Sequence, residues 1–542
     1  MTGKSFVIVG GVAGGMSAAT RLRRLDEDAH IVVLERSGHV SFANCGLPYH
    51  VGGVIEDREA LLLQTPESLG ARFSLDVRVR TEATAIDTDA HTLRWRDLDS
   101  GETGAIAYDA LVLSPGAQPV RPPIPGIERA LTLRDIEDTD RMVEAVAEAR
   151  TAVVIGGGFI GLEVAENLLH RGLDVAVIEA ADQVMAPLDI EMAAPVHDAL
   201  REAGVDLRLG SGVTTIEADA VLLATGERLP ADLVVAAIGV RPDTRLAEAA
   251  GLAVGPRGGI RVDEHLRTSA PDVYAVGDAA EKVDGLTGES TLVPLANTAN
   301  LQGRRVADVI AGRPGADRPV LGTAIVGVLG LQVAATGWSE KRLRAAGRPH
   351  RVIHTHPVDH AGYYPGAQSL SLKLLVDSDS DAILGAQGVG RAGVDKRIDV
   401  IATAMAGGIT ASNLAELELA YAPPFGSAKD PVNMLGHIAE NLRAGTSHSL
   451  QWHELAAALA EGAVLLDVRT EKEFAAGAIS GAINIPVDEL RARLDEIPEG
   501  PVVVHCAVGL RGHTAARLLA QRGREVRNLD GGYRTWTAGT GR

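Results

Sequence analysis

The sequence predicts an α/β protein of several domains. The expectation rests on two strand–glycine turn–helix–strand passages about 146 residues apart and a strand–cysteine loop–helix unit near the C-terminus. A length of 542 residues corresponds to about three to four domains, and 46% apolar residues suffice for ordinary buried cores. Lys+Arg 52 against Asp+Glu 71 gives a net charge of −19, which argues against a general nucleic-acid surface but leaves room for a local basic pocket. Two distant cysteines, Cys45 and Cys506, give no disulfide framework and suit a reducing compartment. The N-terminus runs straight into the strand-like Phe6-Val7-Ile8-Val9 without a secretory pattern, and no apolar run approaches the ~20 residues of a membrane helix. The expectation is a soluble cytoplasmic protein with no nucleic-acid or membrane partner and no metal site.

In the first passage, Phe6 to Val9 leads into Gly10-Gly11-Val12-Ala13-Gly14-Gly15 and a helix from Met16 to Leu25. The next strand, Ile31 to Leu34, ends in Glu35. Glycines let the backbone approach a pyrophosphate at a helix N-terminus, and the acid can take ribose hydroxyls. Val12 occupies the middle glycine position, so this copy alone is a moderate signal. The second copy is complete: Thr151 to Ile155, then Gly156-Gly157-Gly158-Phe159-Ile160-Gly161, a helix to Arg171, and Asp174 to Ile178 ending in Glu179. An acid there favours the free 2′-hydroxyl of NADH over the phosphate of NADPH. Two such units imply two dinucleotides, one a bound flavin and the other a nicotinamide, because hydride needs a donor and an acceptor. Leu111 to Ala117, containing Ser114 and Gly116, closes the first half. Residues 272–278 form a strand ending in Gly277-Asp278, where Asp278 can serve the flavin's ribityl chain or cap a helix.

Between these units lies Ser41-Phe42-Ala43-Asn44-Cys45-Gly46-Leu47-Pro48-Tyr49-His50-Val51-Gly52-Gly53. Its polar, turn-rich composition argues for a redox-active Cys45 over a cysteine that merely fills a core.

With these motifs, residues 1 to about 440 resemble the flavin-dependent pyridine nucleotide-disulfide oxidoreductases. The match is to their single-cysteine branch, which includes coenzyme A-disulfide reductases, NADH oxidases and NADH peroxidases. Dithiol members carry a Cys-x4-Cys pair; here Val40 and His50 stand five positions either side of Cys45, so its covalent partner must be something small. The resemblance implies FAD held by Gly10, Ala13, Gly14, Gly15, Glu35, Arg36, Asn44, Val79, Ser114, Gly116, Asp278, Pro294, Leu295, Ala296 and Tyr421. It implies NADH held by Gly156, Gly158, Phe159, Ile160, Gly161, Glu179 and Gly239. It carries over Ser17, Ser41, Asn44 and Asn300 as polar contacts of coenzyme A, whose phosphates need cations such as Arg21, Arg24 and Lys429. Lys396-Arg397, set between acids, reads as a structural ion-pair run. From Val326 to Gly436 a dimerisation domain is expected. Its Tyr363 and Tyr421 would reach the partner subunit's active site in a homodimer.

After a polar linker, Val464-Leu465-Leu466-Asp467-Val468-Arg469, the segment 477–486, and the loop Cys506-Ala507-Val508-Gly509-Leu510-Arg511 resemble a rhodanese domain. A cysteine at a strand end before a helix sits among converging backbone N–H groups, which favour a thiolate and hold an anion. The Cys-x4-Arg loop resembles sulfur-accepting rhodaneses, since the related phosphatases have one residue more. Ala478 departs from the family's usual His.

The expected architecture is therefore two Rossmann-like dinucleotide-binding domains, an α+β dimerisation domain and an α/β rhodanese domain. Its bounds are 1–117 and 246–325 (FAD), 118–245 (NADH), 326–440 (dimerisation), 441–450 (linker) and 451–542 (rhodanese). The expected chemistry is reduction of persulfides, polysulfides or coenzyme A disulfides by NADH through Cys45, with Cys506 and Arg511 taking up sulfane sulfur. An NADH oxidase or peroxidase working through a sulfenic acid, or a sulfur-relay or redox-sensing protein, stands as the alternative.

Overall fold

The computed structural model describes residues 3–541 and divides them into two compact units: residues up to 182 with 204–322, and residues 183–203 with those from 323 onward.

In the first unit a five-stranded parallel sheet runs in the order Val273–Ala275, Ala110–Leu113, Ser5–Val9, His30–Leu34, Asp76–Arg78. Phe6 and Ile8 pack into one core and Val7 and Val9 into another, so the strand is buried on both faces. That double burial is why it reads as an unbroken apolar run. The helices Ala13–Leu25 and Ala296–Ile310 pack on one another. A second parallel sheet has the order Asp206–Arg208, Asp174–Ile178, Thr151–Ile155, Leu233–Ala236.

The two glycine turns repeat one geometry. Gly10 has φ +98°, and a Cβ there would lie 2.0 Å from Ser114 O; Gly156 has φ +108°, and its Cβ would lie 2.3 Å from Ala237 O. Only glycine lets each strand pass so close beneath the next.

The second unit holds an antiparallel sheet in the order Ala324–Val328, Leu331–Gly337, Ile383–Gly390, Leu370–Asp377, His350–Thr355. The helices Val394–Gly407 and Pro431–Arg443 cover one face, sharing a core with Leu372, Leu374 and Ala386. A parallel sheet follows: Ser449–Leu450, Val526–Leu529, Val502–His505, Val464–Asp467, Ile483–Asn484.

Two segments bear on the expected bounds. Residues 183–203, inside the expected 118–245 domain, belong to the second unit, because the buried Asp189 and Glu191 bind partners there. The expected linker 441–450 is not merely a connector. Its end is an edge strand, with Asn528 N donating to His448 O and Asp530 N to Leu450 O, both at 2.9 Å.

Candidate active sites

Cys45 lies in a single 3-10 turn, Asn44–Gly46, that runs into the short helix Leu47–Val51. Phe42, Leu47, Leu61 and Ile136 form a buried cluster beneath it, which fixes the apolar side of the segment and leaves Asn44 and Cys45 exposed. Ser41 adopts φ +48°, a strained conformation for a non-glycine residue and the kind that concentrates at functional sites. A Cβ on Gly52 would lie 2.0 Å from Asn167 Oδ1, so the segment is pressed against the helix Phe159–His170.

That helix contributes a group the sequence reading missed. Burial pushes the Glu163 carboxyl up to about 7, against a hydrogen bond from Tyr49 Oη at 3.2 Å that works the other way. Crowding by neighbouring atoms raises the Cys45 thiol, and the charges of Glu163 and Asp278 raise it further. A carboxyl near 7 beside a thiol can hold or release a proton in the working pH range. Glu163 follows the second glycine motif by two positions, but nothing in its spacing reveals that it faces Cys45.

Some of the residues expected to hold FAD lie around the start of the helix Ala13–Leu25. Glu35 accepts from Gly11 N at 2.8 Å, and a Cβ on Gly14 would lie 2.9 Å from Ser114 Oγ. Asp278 carries a buried Oδ1 with no protein partner, and burial raises its carboxyl. A buried carboxylate oxygen left unpaired is costly without a ligand, and a ribityl hydroxyl supplies the donor it lacks, so these residues fit a flavin dinucleotide. Val79 packs against the core of this domain, and Leu295 caps the helix Ala296–Ile310. In the second motif Glu179 accepts from Gly157 N at 2.8 Å. A Cβ on Gly158 would meet nothing within 4 Å, leaving open the space that a nicotinamide dinucleotide needs, and Ile160 is exposed beside it. Gly239 has φ +104° and is likewise open.

Among the expected coenzyme A contacts, Ser17 Oγ donates to Asn300 Oδ1 at 2.6 Å. Arg21 is engaged by Asp308 at 2.7 Å, and Arg24 lies over the Phe73 ring. Asn44 and Lys429 are exposed. In the second unit Tyr363 and Tyr421 share a hydroxyl–hydroxyl hydrogen bond of 2.9 Å, and Tyr363 is 76% exposed. The Lys396-Arg397 run is structural, but its partner is Asp430, not the flanking acids.

Cys506 is fully buried at the end of the strand Val502–His505. Gly509, at φ +97°, turns its N–H onto Cys506 Sγ at 3.2 Å before the helix Leu510–Ala520 begins. The loop is also held from behind, since Tyr533 N donates to Cys506 O at 2.8 Å and Arg534 N to Ala507 O at 3.0 Å. Arg511 forms a two-pronged pair with Glu473, whose carboxyl that pairing lowers to about 2. Desolvation takes the neighbouring His505 down to about 4, so it is neutral, and neither ring nitrogen has a hydrogen-bond partner in the protein.

The turn that supports this loop is tied to a cluster that sequence did not reveal. Asp530 Oδ2 accepts from His354 Nδ1 at 2.7 Å and from His354 N at 2.9 Å, while His354 Nε2 lies 3.1 Å from Glu191. Burial opposes protonation of His354, but the two carboxylates outweigh it and lift the imidazole to about 9. Asp189, Glu191 and Glu340 converge on the buried Lys373 ammonium, which occupies the place a metal ion would take.

Known proteins share this arrangement. The pyridine nucleotide-disulphide oxidoreductase model matches residues 4–303, its dimerisation-domain model residues 323–431, and a rhodanese-like domain model residues 451–539. The chain belongs to the pyridine nucleotide-disulphide oxidoreductase family. It is an enzyme of this FAD- and NAD-dependent family, with a rhodanese domain attached. The coenzyme A disulfide reductase of Staphylococcus haemolyticus is 33% identical over 442 residues, 81% of this chain and 100% of that one. The crystal structure of reduced Bacillus anthracis CoADR-RHD superposes with a TM-score of 0.98 at 47% identity, covering 99% of this chain and 98% of that one. An NAD-dependent persulfide reductase from A. fulgidus gives 0.92 at 40% identity, over 98% and 100%. The expected family and fold class stand. Among the described residues no helix is long and apolar enough to cross a membrane.

Proposed function

We propose that this oxidoreductase uses NADH to cleave the sulfur–sulfur bond of a coenzyme A persulfide or disulfide, or that of a related thiol, at Cys45, with Cys506 collecting sulfane sulfur. One observation carries the reading: Cys45 is an exposed free thiol, and the chain's other cysteine is buried in a different unit. A thiol with no second cysteine in its own unit exchanges with a small molecule. Its thiolate attacks the substrate's S–S bond, a Cys45 Sγ–S bond forms, and thiolate or hydrosulfide leaves. Glu163, with Tyr49 against it, holds a proton for the departing sulfur. When bound, NADH and FAD would supply the electron pair that breaks the Cys45 Sγ–S bond, releasing the sulfur held there as thiol or sulfide and returning Cys45 to the free thiol. Ser17, Asn300, Ser41 and Asn44 would orient the carrier, with Arg24 facing its phosphates. Arg21 would have to exchange Asp308 for a phosphate oxygen.

The exposed aromatic side chains Tyr363, Tyr364, Tyr421 and Phe425 support a homodimer through the dimerisation domain, with Tyr363 and Tyr421 serving the partner's site. A cytoplasmic location fits the free thiols.

The test is anaerobic NADH consumption with coenzyme A persulfide, coenzyme A disulfide, glutathione persulfide and polysulfide side by side. The persulfide is expected to turn over fastest. Turnover with oxygen or peroxide exceeding every sulfur substrate would replace this reading with an oxidase or peroxidase.

A further inference from the structure

The rhodanese loop has one cation for an anionic substrate, Arg511, and that cation is already engaged. Its Nη1 and Nη2 donate to Glu473 Oε2 and Oε1 at 2.8 and 2.6 Å. Nor is Glu473 free to swing aside. Its Oε2 also accepts from Thr470 N and Thr470 Oγ1, both at 2.9 Å, while Glu473 N donates to Thr470 Oγ1 at 3.3 Å. This is the capping box of the helix Glu471–Ala475, with the acid at its third position. A fixed carboxylate thus stands against the guanidinium at the mouth of the Cys506 loop. Each side chain remains about a third exposed, at 36% and 34%, so their charges act on an approaching solute.

We infer that Glu473 sets donor specificity by neutralising Arg511, so that Cys506 takes sulfur from organic persulfides carrying little charge at the transferred sulfur and discriminates against dianionic thiosulfate. The inference rests on the sulfur-collecting role of Cys506 given above. With a persulfide, the Cys506 thiolate attacks the outer sulfur of R–S–SH. A Cys506 Sγ–S bond forms, the donor S–S bond breaks, and R–S⁻ leaves, with the proton retained on the transferred sulfur. With thiosulfate the same displacement expels sulfite dianion, so a thiolate meets a dianion and a dianion departs. A free guanidinium would stabilise both, whereas one paired with a carboxylate gives little net attraction.

Glu473→Gln removes the charge and keeps a capping-box residue. The full-length chain is exposed to thiosulfate or to 2-mercaptoethanol persulfide, and gain of one sulfur atom on the Cys506 peptide is timed by mass spectrometry. In Glu473→Gln the thiosulfate-to-persulfide rate ratio is expected to rise about tenfold, and the thiosulfate rate to fall with added KCl as the exposed attraction is screened. Thr470→Val, which loosens the cap and leaves the charge, is expected to keep the wild-type ratio. An unchanged ratio in Glu473→Gln, or an equal rise in Thr470→Val, overturns the inference. A wild-type chain that loads sulfur from neither donor overturns the sulfur-collecting role itself.

Discussion

Cys45 is exposed on a turn-rich segment beside two carboxyl groups, whereas Cys506 is sealed beneath a backbone turn that aims an N–H at its sulfur. The first thiol is built for access and relies on what binds beside it to ionise. The second is fully buried with a backbone donor already in place on its sulfur. Support differs as well. The Cys45 turn rests on a small local cluster, Phe42, Leu47, Leu61 and Ile136. The Cys506 loop leans on residues 533 and 534, next to Asp530, and so on a charge network reaching into the antiparallel sheet. In the division of labour proposed above, accessibility and local support would go with the reductive step, and burial with long-range support would go with sulfur collection.

Four variants or conditions test that contrast. Cys45→Ser should lower NADH-driven reduction by about a thousandfold, as for loss of a nucleophile, while sulfur still loads on Cys506. Loss of both in one assay would break the division between the sites. Lys373→Met leaves three buried carboxylates without their cation. An unfolding measurement should show a loss of about 3–5 kcal/mol, and Cys506 loading should suffer before NADH oxidation at Cys45 does. A change confined to the Cys45 reaction would refute the assignment of support.

The third is a pH dependence. Folding lifts His354 from its ordinary value near 6.5 to about 9, held there by Asp530 and Glu191 against burial and Lys373. A raised value means that the stabilisation is complete below about pH 6.5 and fades as pH climbs through 9. Thermal unfolding followed from pH 6 to 10 should show this decline, and His354→Gln should flatten it. The smallest effect is expected from Glu163→Gln. Removing a negative neighbour should move ionisation of Cys45 to lower pH, read from the pH dependence of its alkylation. A shift to higher pH would mean that Glu163 acts on the thiol as a proton acceptor.

Sequence made the frame readable wherever backbone needs select the residue. Gly10 and Gly156 sit where no Cβ fits, and the strands between two cores read as unbroken apolar runs. Cys45 and Cys506 stood out because the segments around them have distinctive chemistry. What sequence hid were contacts between distant positions. Glu163 faces Cys45 from more than a hundred residues away. His354 meets Asp530 across 176 positions, and Lys373 meets Glu191 across 182. Arg21 is a further case of a distant partner that sequence hid. An arginine on the first helix looks available for a phosphate, yet Asp308 already holds it. Even Glu473, only 38 positions from Arg511, gives no sign in sequence that it pairs with that guanidinium.

The clasp between His354 and Asp530 bears on how separable the C-terminal segment is. A gene fragment starting near residue 445 would yield a tail whose Asp530 has lost its imidazolium, and a truncated remainder whose imidazolium has lost one of its two acids.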